Sequence, residues 1–377
     1  MKCTVARSVL LKSLRHVQDV VGKRAATPIL ANIYLETKAS RLYLRITDME
    51  LELVETVFCE TERMGCATIP AYMVYEIVKK LPNGIFLTLE HDSDKEELVL
   101  RFERSCFILK SLPVSNFPSL MDDSLPVTFN IKGADLHSLI VRTSFAMSTE
   151  ATRYYLNGLS FHAIIYNNFD VLRAIATDGY RLARMDIPLQ GKIENIPNVI
   201  IPRKTIGIIR SLTENLATDV AVSLSHTKVR FSFNSGIILI SKLLDGVFPD
   251  CERVIPQHND NDKIIEVNAK SLAEAVVRVA TVMATDKTRA VKLDVRKDSL
   301  VLSALNTTTT DSAVEEIDAA CAFAPFSIGF NSRYLLDILG QMVSETVCFS
   351  VSDASSPTVV WGLADSSALY VLMPIRV

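Results

Sequence analysis

The chain has 377 residues, 22% of them charged and 49% hydrophobic, with a formal net charge of −3. That is ample for buried cores and implies two or three domains, and it excludes a disordered or collagen-like protein. Apolar runs such as Gly236-Ile237-Ile238-Leu239-Ile240 are strand-sized and too short to span a membrane. Lys2, Arg7, Lys12 and Arg15 interrupt the N-terminus where a signal peptide needs an apolar core, so a cytoplasmic protein without a membrane partner is expected.

Taken in chain order, the elements read as one pattern recurring at a period of about 130 residues. Thr4-Val5 leads into a one-sided helix over 6–21, with Leu10, Leu14, Val17 and Val21 facing in. Alternating strands are expected at 29–35, 41–47 and 51–58; a strand then closes at Ile69-Pro70, and a second helix buries Ile77 and Leu81. The next copy opens at Val127-Thr128-Phe129-Asn130-Ile131 and continues into a helix over 134–147 with Leu136, Leu139, Ile140 and Met147 inward. Strands at 156–162, 170–177 and 181–187 follow, then Ile201-Pro202 and a helix over 203–215 with Ile206 and Ile209. The last copy runs from Ile264-Ile265-Glu266-Val267 through a helix over 270–284 with Leu272, Val276, Val279 and Met283. Its strands are expected at 290–295, 299–305 and 312–317, before Ile328-Gly329 and a helix over 331–343 with Leu335, Leu336 and Leu339. The expected fold is α+β: three tandem pseudo-symmetric domains at 1–125, 126–256 and 257–377, each made of two helix-plus-antiparallel-strands units.

The six helix spans carry twelve basic and six acidic side chains, about +6 against about −9 for the remainder of the chain. A basic set of helices on an acidic body suits a surface that faces nucleic acid; a solvated helix face that happens to hold Lys and Arg is the plainer alternative. The seven cysteines have no C-x-x-C spacing and read as small buried hydrophobes. No nucleotide-binding loop, H-E-x-x-H or G-x-S-x-G string occurs, and neither a cofactor nor a metal is expected. A metal-dependent DNA-processing enzyme would need clustered carboxylates, and those here are dispersed.

Several strings, in order and correctly spaced, resemble the bacterial DNA sliding clamps, the beta subunits of DNA polymerase III. They are Pro28-Ile29-Leu30-Ala31-Asn32, Arg153-Tyr154-Tyr155-Leu156-Asn157-Gly158, Ala176-Thr177-Asp178-Gly179-Tyr180-Arg181-Leu182, Phe248-Pro249-Asp250, Arg253-Val254-Ile255-Pro256 and Tyr370-Val371-Leu372-Met373-Pro374-Ile375-Arg376. The resemblance covers essentially the whole chain. It implies a non-catalytic processivity factor: a head-to-tail homodimeric ring with helices inside and sheets outside, sliding on duplex DNA. Implied partners are the replicative polymerase alpha subunit, the clamp-loader delta subunit, and repair and translesion polymerases, all docking by linear peptides.

The family's peptide groove maps onto Leu156, Thr177, Gly179, Tyr180, Arg181, Leu182, Pro249, Arg253 and Val254, and onto Val371, Leu372, Met373, Pro374, Ile375 and Arg376. These residues suit peptide capture, with an adaptable apolar slot, a glycine permitting close backbone approach, and Arg181, Arg253 and Arg376 for peptide carbonyls or an acidic flank. Without the resemblance, Tyr370–Ile375 reads as a core strand. DNA contacts map onto Arg24 and onto Arg153, Tyr154 and Tyr155, although the two tyrosines equally suit packing beneath the strand they begin. The dimer boundary maps onto Phe107 and Leu109 on one side and Val282 and Met283 on the other, with Leu109 equally readable as core. Tyr180 stands where many relatives have histidine, Cys251 where many have tyrosine and Ile375 where methionine is frequent; Asn306-Thr307 lacks an expected loop proline.

Overall fold

The computed structural model describes the chain except residues 22–26, 122–123, 167–168, 190–195, 257–262, 284–288 and 322. Six α-helices are described: α1 (Arg7–Val20), α2 (Ala71–Lys80), α3 (Gly133–Ser144), α4 (Arg203–Thr213), α5 (Ala269–Ala280) and α6 (Ser332–Leu339). Their buried faces follow the 3-and-4 spacing, as with Leu10, Leu14 and Val17 on α1 and Leu272, Val276 and Val279 on α5. Each such side chain contributes about 1.5–3 kcal/mol by leaving water. None of the described helices is long and apolar enough to cross a membrane.

Boundaries shift where local chemistry overrides periodicity. The strand expected from 29 begins at Asn32, because Pro28 has no N–H to give a ladder and opens a 3-10 turn over Pro28–Ala31. The strand expected from 156 begins at Gly158, since Leu156 ends a 3-10 turn at Ala151–Leu156. Gly158 is required there: a Cβ would lie 2.5 Å from the Ile201 carbonyl oxygen. The last stretch of the helix expected over 270–284 tightens into a 3-10 turn at Thr281–Met283.

Two compact units hold the strands. The first, chiefly Met1–Ala134 and Gly207–Leu243, contains a five-stranded and an eight-stranded sheet; the second, chiefly Asp135–Lys192, Asn198–Ile206 and Leu244–Val377, contains a twelve-stranded one. Three sequence copies become two packed bodies because the sheets run across copy boundaries. In the first unit, Leu51–Phe58 pairs antiparallel with Ile238–Lys242, Leu53 opposite Leu239. In the second, Arg181–Pro188 pairs with Asp365–Leu372, Ala183 opposite Tyr370. The middle copy thus gives one half to each body.

The repeat extends to a single turn. Before the Leu51–Phe58 strand, Asp48 Oδ1 accepts from the N–H groups of Glu50 and Leu51 at 3.0 and 2.9 Å. Asp178 Oδ1 accepts from Tyr180 and Arg181 at 2.9 and 3.0 Å, and Asn306 Oδ1 from Thr308 and Thr309 at 2.9 and 3.1 Å. A short side-chain acceptor closing its own turn does here what a proline would do by fixing φ.

Candidate functional site

The second of these turns builds one wall of the site. Gly179 has φ +90°, and a Cβ on it would lie 2.9 Å from Arg153 Nη1. Its N–H donates to Thr177 Oγ1 at 3.1 Å, and Thr177 Oγ1 donates to the Arg181 carbonyl at 2.8 Å. Tyr180 is thereby pushed outward, 51% exposed, and stacks on Tyr334 of α6 with ring centroids 6.2 Å apart. The Met373 N–H donates to the Tyr180 carbonyl at 2.9 Å, which draws the half-buried Met373 and Pro374 alongside.

The floor is apolar. Ile175, Leu182, Cys251 and Val371 are buried together, with Phe248, Ile255 and Leu369 packed on them. Leu156 is buried as well. Burial pushes the Cys251 thiol up to about 11, so it stays a neutral small hydrophobe at physiological pH. The far wall is the segment carrying Pro249, Arg253 and Val254: Val254 is 50% exposed, and Arg253 points into solvent with its Nε 2.8 Å from Asp250. Of the mapped residues, Leu182 and Val371 thus share one apolar floor, Tyr180 and Met373 are joined by a backbone hydrogen bond beside it, and Pro249, Arg253 and Val254 belong to the segment that Cys251 anchors on it.

Four of the mapped residues are engaged elsewhere in this chain. Arg181 is bonded within the chain: its Nε donates to Asp178 at 3.1 Å, Nη1 to Asp337 at 2.5 Å and Nη2 to the Phe145 carbonyl at 2.8 Å. The guanidinium also lies 4.5 Å from the Tyr334 ring, so Arg181 braces the turn from beneath. Leu372 is fully buried opposite Arg181, on the other face of its strand from Val371, as the two-residue period of a strand requires. Ile375 and Arg376 run on beyond Pro374 toward Gly329. The Ile375 N–H donates to the Gly329 carbonyl at 2.9 Å, and both residues line a separate cavity of about 650 Å³ with Ala290, Leu305 and Val314.

For the mapped DNA contacts, Arg24 lies outside the described residues. Tyr154 is 52% exposed and Tyr155 half-buried, their rings edge-on at 5.9 Å, and Arg153 Nε lies 3.2 Å from Glu150. Gly246, with φ +136°, packs on them: a Cβ there would lie 3.2 Å from that of Tyr155. Of the basic helix residues, Lys12, Arg15, Lys204, Arg210, Lys270 and Arg333 are exposed. Arg7 and Arg142 are buried and internally bonded, which removes them from any charged surface. At the mapped boundary, Phe107 and Val282 are half-buried, whereas Leu109 and Met283 are enclosed in the core. Five cysteines are buried; Cys66 is intermediate and Cys106 exposed.

Sequence reasoning missed Tyr334 and Asp337. No motif marks them, and Asp337 meets Arg181 across 156 residues. Glu252 was also overlooked, though it occupies the groove's far wall.

Comparison with known proteins bears on the whole chain. The profile of the DNA polymerase III beta subunit matches with its N-terminal domain at residues 1–121, its central domain at 130–250 and its C-terminal domain at 252–376. The beta sliding clamp of Caulobacter vibrioides is 43% identical over 377 residues, and that of Escherichia coli K12 34%, each with complete coverage of both chains. Among solved structures, a DnaN sliding clamp from Bartonella birtlesii bound to griselimycin superimposes with a TM-score of 0.95 at 40% identity over all of both chains. The DNA polymerase III subunit beta from Pseudomonas aeruginosa gives 0.92 at 34%, again over all of both chains. The chain belongs to the DNA polymerase III beta-subunit family, the bacterial sliding clamps, and is a non-catalytic processivity factor of DNA replication with three clamp domains.

Proposed function

We propose that two copies join head to tail into a ring around duplex DNA, working in the cytoplasm. The domains would be 1–125, 126–256 and 257–377. In this reading, the groove between the second and third domains takes apolar linear peptides from the replicative polymerase alpha subunit, the clamp-loader delta subunit and other polymerases. The observation that carries the ring is a pair of unmatched strand edges. The two sheet continuations join the third strand of one copy's first helix-plus-strands unit to the last strand of the next copy's second unit. The remaining equivalents are Ser312–Cys321 and Ser105–Lys110. Among the described residues, the latter is a sheet edge, and the former is paired on its second side only at Ala319, Ala320 and Cys321.

Carrying over the register, in which Leu239 faces Leu53 and Tyr370 faces Ala183, sets Phe107 of one copy opposite Ala313 of the other and Cys106 opposite Val314. Both edges carry outward apolar side chains, Ile108 at 60% exposure and Val314 at 70%, which an unpaired edge in solution would avoid. Arg101, Arg104 and Lys110 on one side and Glu315, Glu316 and Asp318 on the other add opposite charge. Phe107 and Val282 then contribute contact, with Leu109 and Met283 backing them.

Arg24, Arg153, Tyr154 and Tyr155 are assigned to DNA, sparse contacts being suited to sliding. The groove's few apolar anchors, about 1.5–3 kcal/mol each less the cost of ordering a peptide, give exchangeable affinity. Griselimycin is assigned to the same groove. The test is to load the protein on nicked circular plasmid with its clamp loader and then linearise the DNA. Retention in high salt before cutting and release after it are expected; retention that ignores cutting but disappears with salt overturns the ring.

A further inference from the structure

The far wall of the groove is a segment laid over a sheet without a ladder to hold it. Asp245–Pro256 crosses the outward face of the Phe169–Thr177 and Arg181–Pro188 strands, where Cys251, Phe248 and Ile255 pack on Ile175 and Leu182. Apolar packing of this kind holds a segment down but fixes its position poorly, because it has no direction. Within the segment, the backbone bonds are local, from the Val254 and Ile255 N–H groups to the Cys251 carbonyl at 3.0 and 3.3 Å. Among the described residues, the polar ties from this segment to the strands beneath are those of Glu252. Arg173 Nη1 donates to Glu252 Oε1, and Arg184 Nη1 donates to Oε2 at 3.5 Å.

Arg173 does not need Glu252 for its own burial. It is 4% exposed, and Asp186, directly opposite on the next strand, takes it in a fork, Nε to Oδ1 at 2.7 Å and Nη2 to Oδ2 at 2.6 Å. That pair is electrically complete. Glu252 is a further acceptor, at Nη1 of the guanidinium, half-exposed and flanked in sequence by Cys251 in the floor and by Arg253 and Val254 on the rim. We infer that Glu252 is a positioning residue for the partner groove: it pins the rim segment to the Arg173–Asp186 pair and so sets where Pro249, Arg253 and Val254 stand opposite Tyr180 and Met373. This rests on the groove being the partner site.

The test is calorimetric titration of the full-length protein with griselimycin, beside thermal melting. Glu252→Ala is expected to weaken binding roughly tenfold while the melting temperature holds, since the buried pair beneath stays matched. Glu252→Gln, which keeps the length and one acceptor oxygen, is expected to recover most of the affinity. Arg184→Met, which removes the second arm without touching Arg173, is expected to weaken binding about threefold. Val254→Asp, on the rim itself, is the control for the groove. Val254→Asp abolishing binding while Glu252→Ala matches the wild type would overturn the pinning and leave the groove standing. Glu252→Ala and Glu252→Gln equally impaired, with a lowered melting temperature, would reduce Glu252 to a structural role. A wild-type chain that ignores griselimycin, or one unaffected by Val254→Asp, would overturn the groove and the inference together.

Discussion

The two sheet continuations share a backbone plan and differ in the side chain placed against them. At the tenth residue of α1 stands His16, whose Nδ1 lies 3.0 Å from Glu55 on the Leu51–Phe58 strand of its own copy. At the tenth residue of α3 stands Arg142, which reaches instead into the next copy. Its Nη2 lies 2.5 Å from Asp365, Nη1 donates to Ser367 at 3.2 Å, and Nε donates to the Tyr370 hydroxyl at 3.4 Å. At the tenth residue of α5, Arg278 meets Glu315 on the strand left without a full partner, with Nε to Oε2 at 3.0 Å and Nη2 to Oε1 at 2.5 Å. One helix position thus guards a continuation from one side, bolts another across it, and in the third case stays within its own copy at an edge open to a second chain.

The comparison ranks the three positions by burial and by the number of partners each would strand. Arg142→Ala is expected to be the most damaging. It leaves Asp365 and the Tyr370 hydroxyl without their cation in a buried site, a loss of about 3–5 kcal/mol in urea unfolding monitored by circular dichroism. A loss no larger than that of an exposed ion pair would mean the ladder alone holds the continuation. His16→Ala comes second, at about 1–2 kcal/mol, because Glu55 loses one neutral-or-charged donor at a site with some water access. If His16→Ala costs as much as Arg142→Ala, reaching across the joint adds nothing and the distinction between the two continuations fails.

How much of this was legible beforehand depended on the range of the interaction. Helices, strands and the threefold copy follow from spacing within a few residues, and the Asp178 turn from a single string. Pro28 and Gly158 moved strand starts by equally local chemistry that alternation ignores. The apolar floor was readable from the family strings, but the internal bonds of Arg181 were not, because its acceptors, Asp337 and the Phe145 carbonyl, come from distant segments. Glu252 finds Arg173 across 79 residues, and nothing in the local sequence separates that glutamate from any solvated one. Charges paired over such distances leave no period to detect. Leu372 is different in kind: the two-residue period of its strand already placed it away from Val371, and the family string obscured that.

The third position gives the smallest and most discriminating effect. Arg278 is exposed and Glu315 half-buried, a pair at the surface, so Arg278→Ala is expected to leave the melting temperature unchanged within error. Its consequence belongs to the proposed contact between copies. With Arg278 in place, Glu315 is held in a fixed pose on the strand that would meet Ser105–Lys110, and hydrogen bonding to Arg278 lowers the Glu315 pKa below its ordinary 4.5. A carboxyl depressed in this way is stabilising at pH values above 4.5, and the benefit fades as the pH falls below that value toward the depressed one. Sedimentation equilibrium should therefore show Arg278→Ala dissociating about threefold more readily than the wild type at neutral pH, with the gap narrowing below the ordinary glutamate value. A gap that persists undiminished in acid would assign the effect to Arg278 packing directly on the second copy. No gap at any pH would confine the tenth-position cation to joints within one chain.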